Sequence, residues 1–261
     1  MQTDVLEFRN FYHRPIGTVT RRFIAARLTN LWGAAPGLSV VGYGYAGPYL
    51  DRFREAAARV VNLAPESQGT TRWPNGGPNQ AALVEEARWP LPDACADRII
   101  IAHGLEEAES APALLREAWR VLADDGRLVI VATNRASSWA LSDSTPFGAG
   151  RPFSRQQLQQ LLEDALFTPE AWSGALYFPP TNWSLVLRSA RAFERIGAAL
   201  WRPFAGALLV EATKSLVIAA PAAGSRRRRR RAIAGAASRL SPRAEQTRHP
   251  RNFGDCDGAD I

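Results

Sequence analysis

Short unbroken apolar blocks alternate with longer amphipathic stretches along most of this chain, and the two periods predict different elements. Leu38–Gly42, Arg59–Leu63, Arg98–Ala102 and Arg127–Thr133 are of strand length. They lack the polar alternation of a half-exposed strand, as expected where both faces are covered. Ala81–Glu85 predicts a further strand. Helical spacing appears over Ile16–Trp32, where Phe23, Leu28, Leu31 and Trp32 form a loose stripe, and over Pro48–Ala58. It recurs over Ala111–Leu122, with Leu114, Leu115, Ala118 and Leu122 on one side. Ser154 is placed to cap a helix running to about Leu166. The last third predicts a strand at Ala171–Phe178, a helix near Ser189–Trp201 and a final strand at Ala207–Ala219. Two loops rich in turn-forming residues, Pro65–Asn79 and Asn134–Pro152, interrupt the pattern.

Composition changes the picture mainly at the end of the chain. The 261 residues carry a formal charge of +7. Most of that belongs to residues 225–261, with ten Arg against four acids, which leaves 22 basic and 21 acidic side chains in a nearly neutral body. Residues 1–220 are expected to form one α/β domain and residues 221–261 a disordered Arg-rich tail, because too few large apolar side chains lie there to build a core. The run Arg226–Arg231 lacks interleaved aromatics, so any nucleic-acid binding through it should be weak and salt-sensitive. Cys95 and Cys256 have neither metal-ligand nor redox spacing. With no leader-like start and no apolar run near the roughly 20 residues of a membrane span, a cytoplasmic protein is expected. No metal is expected, and oligomeric state is not legible.

The chemistry concentrates where the first strand breaks into Gly42-Tyr-Gly44-Tyr-Ala-Gly47. Glycines let the backbone turn sharply and let a ligand approach it closely, and the first strand–helix turn of a parallel sheet is where nucleotide-like cofactors settle. Two further blocks are more specific. One is Trp89-Pro-Leu-Pro-Asp93 followed by Asp97-Arg-Ile-Ile-Ile-Ala-His103-Gly-Leu-Glu106. The other is Leu114-Leu-Arg-Glu-Ala-Trp-Arg-Val-Leu122 followed by Asp125-Gly-Arg-Leu128. Together with the order of elements, these resemble class I S-adenosylmethionine-dependent methyltransferases of the small type 11 kind, over about Phe11 to Ala219. The resemblance implies a Rossmann-like open, mostly parallel sheet with helices on both faces and an antiparallel C-terminal edge. It also implies S-adenosylmethionine as cofactor and methyl transfer to an acceptor, expected to be a small molecule.

Carried onto this sequence, the resemblance implies that Val41, Gly42, Gly44 and Ala46 line the cofactor's amino-acid end. Glu85 and Ala87 would approach the adenine. His103, after the fourth strand, would face the transferring methyl, where a histidine could act as a base. The loop Asn134–Pro152, with Asn134 and Arg135, would form a substrate lid together with Tyr12 and His13. The chain departs from the family at two points. Gly42 stands where the family's first motif carries an acid, with Gly44, Ala46 and Pro48 at its glycines. The second strand ends Asn62-Leu-Ala-Pro65 without the acid that holds the ribose. Gly44→Val is expected to abolish cofactor binding while leaving the fold cooperative. Two other readings stay open: a methyltransferase-fold binding or regulatory protein without cofactor, and a nicotinamide-dependent oxidoreductase suggested by the literal G-x-G-x-x-G.

Overall fold

Each apolar block becomes a strand covered on both faces. In the computed structural model, which describes residues 3–33 and 35–215, the strands are β1 (Ser39–Gly44), β2 (Arg59–Pro65), β3 (Ala81–Val84), β4 (Ala96–Ala102), β5 (Leu122–Thr133), β6 (Phe167–Ala175) and β7 (Ala207–Lys214). They form one sheet in the order β3-β2-β1-β4-β5-β7-β6. The first five pair in parallel, and β7 runs antiparallel to β5 on one side and β6 on the other. This is the mostly parallel sheet with an antiparallel C-terminal edge that the sequence predicts.

Alternate side chains point to opposite faces of a strand, so the core divides in two. Val40, Ile100, Val129 and Val131 pack beneath α1 (Val5–His13), α2 (Pro15–Trp32), α3 (Gly47–Leu50) and α6 (Ser184–Leu200). Val41, Tyr43, Ile99, Ile101 and Ile130 face α4 (Ala111–Val121) and α5 (Arg155–Asp164). Ser154 caps α5 as predicted, in a reciprocal capping box with Gln157.

Several boundaries differ from expectation for physical reasons. The first crossover helix is only α3, continued by a 3-10 turn at Asp51–Phe53 rather than running to Ala58. Irregular helical turns continue past Phe53, with Arg54 in the α region and the Ala57 N–H donating to the Phe53 carbonyl, before the chain bends into β2. The N-terminal helix α1 was not anticipated; the Asp4 side chain caps it by accepting from the Leu6 N–H, and Phe8, Phe11 and Tyr12 are its buried face. β5 extends back to Leu122 because β4 begins at Ala96 and pairs with it across a register shift. β6 lies earlier than predicted, bounded by the left-handed residues Leu166 and Leu176.

The expected domain boundary near residue 220, the Arg-rich tail and Cys256 lie outside the described residues; Cys95 is a free thiol. Among the described residues no helix is long and apolar enough to cross a membrane, and no cluster of side chains is arranged to hold a metal.

Candidate active site

The carboxyl edges of β1 and β2 open into a cavity of about 330 Å³. The glycine turn contributes Gly44, Tyr45, Gly47 and Pro48, while α1 and α2 contribute Arg9, Tyr12, His13 and Arg21. Asn62 and Ala64 of β2, followed by Gln68 and Trp73, complete the far wall. The turn needs glycine for a reason internal to the fold. Gly44 has φ +77°, and a Cβ there would stand 2.4 Å from the Ala102 carbonyl oxygen of β4. Gly44→Val would therefore damage the β1–β4 contact itself, which corrects the expectation that the fold would survive it. Tyr45 seals the turn by donating its N–H to the same carbonyl. Its ring stacks between Phe8 and Tyr12, one helical turn apart on α1, with centroids at 5.1 and 5.4 Å. Trp73 packs against Gly47 and donates its indole N–H to Asp51 Oδ1.

Asn62 explains part of the unusual first motif. It pairs in register with Gly42, and its Oδ1 stands 3.0 Å from where a Gly42 Cβ would be. A side chain at position 42 would also press on Leu50 and Ala46. The acid missing from β1 is thus matched by a carboxamide reaching across from β2. Its Oδ1 is buried with no hydrogen-bond partner, and so is Gln68 Oε1, although the Gln68 amide donates to the His103 carbonyl. A buried polar atom without a partner costs free energy unless something satisfies it. Two such acceptors in one cavity fit a ligand bearing hydroxyl or ammonium donors. At the mouth Arg9, Arg21 and Arg72 stand against one acid, Asp51, a donor set suited to a carboxylate.

The predicted site residues divide. Gly44, Tyr12 and His13 line the cavity. Gly42 and Ala46 are buried directly behind the turn, whereas Val41 points into the opposite core layer with Tyr43 and Leu63. Glu85 and Ala87 are exposed and outside the cavity lining. Asn134 is buried and structural: its amide donates to the Pro203 and Ala205 carbonyls. Arg135 is exposed beside a different depression, near α5. The loop following β5 is pinned to the core rather than open, with Trp139 donating to the Phe178 carbonyl and Phe147 packed on His103.

His103 is at the predicted strand end but is sealed from the cavity. Phe8, Tyr12 and Phe147 surround its ring, and its Nε2 meets Tyr12 Oη at 2.8 Å. Tyr12 Oη in turn meets Tyr49 Oη at 2.6 Å. Burial pushes the His103 pKa down to about 3, so its imidazole is neutral at ordinary pH. Burial also pushes Tyr12 well above its usual range and Tyr45 up to about 12, so neither phenol ionises near neutrality.

Arg9, Arg21, Asn62, Gln68 and Trp73 were not anticipated as site residues. Asn62 was detectable in principle as the single polar side chain inside Arg59–Leu63, facing a glycine once the strands are paired.

The two specific sequence blocks do something other than chemistry. Glu117 accepts from the Trp89 N–H, and Arg120 donates to the Trp89 and Leu91 carbonyls and pairs with Glu117 and Asp93. They tie the β3–β4 connection to α4. Glu106 Oε1 accepts from the Thr133 N–H and hydroxyl, fixing the end of β5.

Residues 40–130 match the family model described as a methyltransferase domain. A ubiquinone/menaquinone biosynthesis C-methyltransferase from a Caulobacter species is 34% identical over 89 residues, 34% of this chain. The match spans about a third (35%) of that relative's length. Among solved structures, the putative methyltransferase of Haloferax volcanii, in complex with the Trm112 methyltransferase activator, is similar with a TM-score of 0.55 and 16% identity. The match covers 80% of this chain and 96% of that one. A Thermotoga maritima structure described as a SAM-dependent methyltransferase, possible histamine N-methyltransferase, gives 0.52 and 16% over the same shares, 80% and 96%. At these identities the structural likeness is one of fold.

Proposed function

We propose, for a chain that belongs through residues 40–130 to the class I S-adenosylmethionine-dependent methyltransferase family, that it transfers a methyl group to a small-molecule acceptor at the β1–β2 cavity. The observation that carries this reading is the pair of partnerless buried acceptors, Asn62 Oδ1 and Gln68 Oε1, in a cavity of ligand-binding size at the family's cofactor position. Asn62 and Gln68 would accept from the cofactor's hydroxyl or ammonium donors, and Arg9 or Arg21 would take its carboxylate. When bound, S-adenosylmethionine supplies an activated methyl sulfonium. The protein's own work is then to orient and to exclude water, which accounts for much of the rate in such transfers.

Tyr45, clamped by Phe8 and Tyr12, forms one wall, and Trp73 closes the other. The acceptor would approach between His13 and Arg21 at the mouth. In this reading His103 positions α1 rather than taking a proton, because it is enclosed and bonded to Tyr12, and its lowered pKa makes it a weak base. That suits an acceptor already nucleophilic near neutral pH. A cytoplasmic setting is part of the same reading.

One observation favours a second reading, a binding module without cofactor. The expected adenine contacts Glu85 and Ala87 stand exposed, away from the cavity. Ultraviolet cross-linking with methyl-labelled S-adenosylmethionine, followed by peptide mapping, separates the two. Label within residues 44–51 or 62–75 supports methyl transfer at this cavity. No label supports the binding module, and label elsewhere contradicts both readings.

A further inference from the structure

The helical layer formed by α2 and α6 has an outer surface that the reaction at the cavity does not use. α6 buries Ala190, Glu194 and Gly197 against the body. On its opposite side Leu185, Ala192, Ile196 and Ala199 recur at spacings of seven, four and three, one stripe along the exposed face of a helix. Leu200 extends the stripe, and Trp183, Trp201 and Phe204 flank its two ends. Trp183 is 75% exposed, Leu185 74% and Leu200 72%, so these are large apolar groups left in water. Such a concentration marks a contact surface.

Charge identifies the partner. Beside the stripe run Arg188, Arg191 and Arg195, at i, i+3 and i+7, with Arg202 just beyond; all four are exposed. Among the described residues the ion pairs involve Arg27, Arg120, Arg127 and Lys214, so Arg188, Arg191, Arg195 and Arg202 have no carboxylate partner there, and Arg202 donates only to the Ala198 carbonyl. Neighbouring α2 adds Arg22 and Arg27 and carries no acid. The one acid of α6, Glu194, is buried and holds Arg27 and the Tyr177 N–H. In a body with 22 basic and 21 acidic side chains, this is a marked local excess of positive charge.

We infer that the α2–α6 face docks on an anionic lipid bilayer surface. An apolar stripe bounded by Trp and flanked by Arg is the composition of a helix lying at a membrane interface. The Arg side chains meet anionic headgroups while Leu185, Ile196 and Leu200 enter the acyl boundary. A second copy of the chain fits less well, because a self-complementary contact would set the two Arg rows against each other. Nucleic acid would use the Arg groups but leave the aliphatic stripe in water.

The test is co-sedimentation of the full chain with phosphatidylcholine vesicles, with and without phosphatidylserine. The full chain retains the Arg226–Arg231 run, so a purely electrostatic contribution is present in every arm. Binding should require the anionic lipid, and Arg188→Gln with Arg195→Gln should weaken it on the order of tenfold or more. Leu185→Asp with Ile196→Asp should abolish the salt-resistant part, with an unchanged melting temperature showing that the fold is intact. Brominated acyl chains should quench Trp fluorescence in the wild type and lose that effect when Trp183→Ala and Trp201→Ala are combined. Three results overturn the inference: undiminished binding by the Leu185/Ile196 variant, lipid-free dimers that the same substitutions dissolve, or an RNA complex that the substitutions weaken while vesicles fail to bind.

Discussion

Replacing Asn62 by alanine removes an acceptor that has no partner within the protein, so stability should hold or rise slightly while ligand affinity falls. One neutral hydrogen bond is worth about 1 kcal/mol, and S-adenosylhomocysteine should therefore bind about fivefold more weakly. Calorimetry and a melting curve read the two effects separately. His103 gives a pH prediction. Its pKa, near 6.5 when unfolded, is pushed down to about 3 in the fold. Below pH 6.5 the unfolded chain takes up a proton that the native imidazole refuses, so stability is lost as pH falls from there toward 3. By pH 5 the loss is about 2 kcal/mol. Burial pushes Glu106, Glu107 and Glu194 upward, which acts in the opposite sense. The difference between wild type and His103→Asn isolates the histidine; asparagine also tolerates the left-handed backbone there (φ +53°). Between pH 7 and 5 the wild-type denaturant midpoint should fall relative to that of the variant, since the three acids act on both alike. The location of His103 was legible as a polar residue ending an apolar strand. Its enclosure was not, because Phe8 and Phe147 reach it from segments 95 and 44 residues away in the chain.

Helix ends and one clamp decide how the elements hold. Ser154→Ala removes one half of the capping box and should cost about 1 kcal/mol in a chemical melt. Phe8→Ala should cost about 3–5 kcal/mol, since the ring is buried and braces both Tyr45 and His103. Elements with a clear period were readable: α2, α4, α5 and the strands at Val40, Val60, Ile100 and Ile130 appear where the pattern puts them. α1 was missed although Asp4 caps it and Phe8, Phe11 and Tyr12 fall at helical spacing. A nine-residue amphipathic segment gives a weak signal until the surface it covers is known. α3 was overextended: composition allows a helix to Ala58, but the regular helix passes into a 3-10 turn at Asp51–Phe53 and then into irregular turns before β2. The residues carrying the family likeness, Asp93, Glu117 and Arg120, were legible as a motif. Their role as a clamp between a loop and α4 needed the geometry.

At the scale of the molecule, a mostly parallel sheet with an antiparallel edge was legible from the alternation of segments and the family likeness, whereas the strand order β3-β2-β1-β4-β5-β7-β6 needed the structure. The site could be read only in part. A cavity is assembled from β1, β2, α1 and α2; the glycine turn after β1 announces its share locally, whereas Arg9, Arg21, Asn62 and Gln68 do not. The uneven distribution of charge was visible along the chain but not around it: a nearly neutral body carries six Arg on the outer side of one helical layer and the connection after it, against one buried acid. Whether the β1–β2 cavity still holds the family's cofactor without either usual acid is the central question. Calorimetric titration of the full chain with S-adenosylhomocysteine, S-adenosylmethionine and NAD answers it most directly. The account predicts saturable binding of the first two, weakened by Asn62→Ala, and none of NAD. Absence of heat with S-adenosylhomocysteine at millimolar concentration, or preferential binding of NAD, would contradict it.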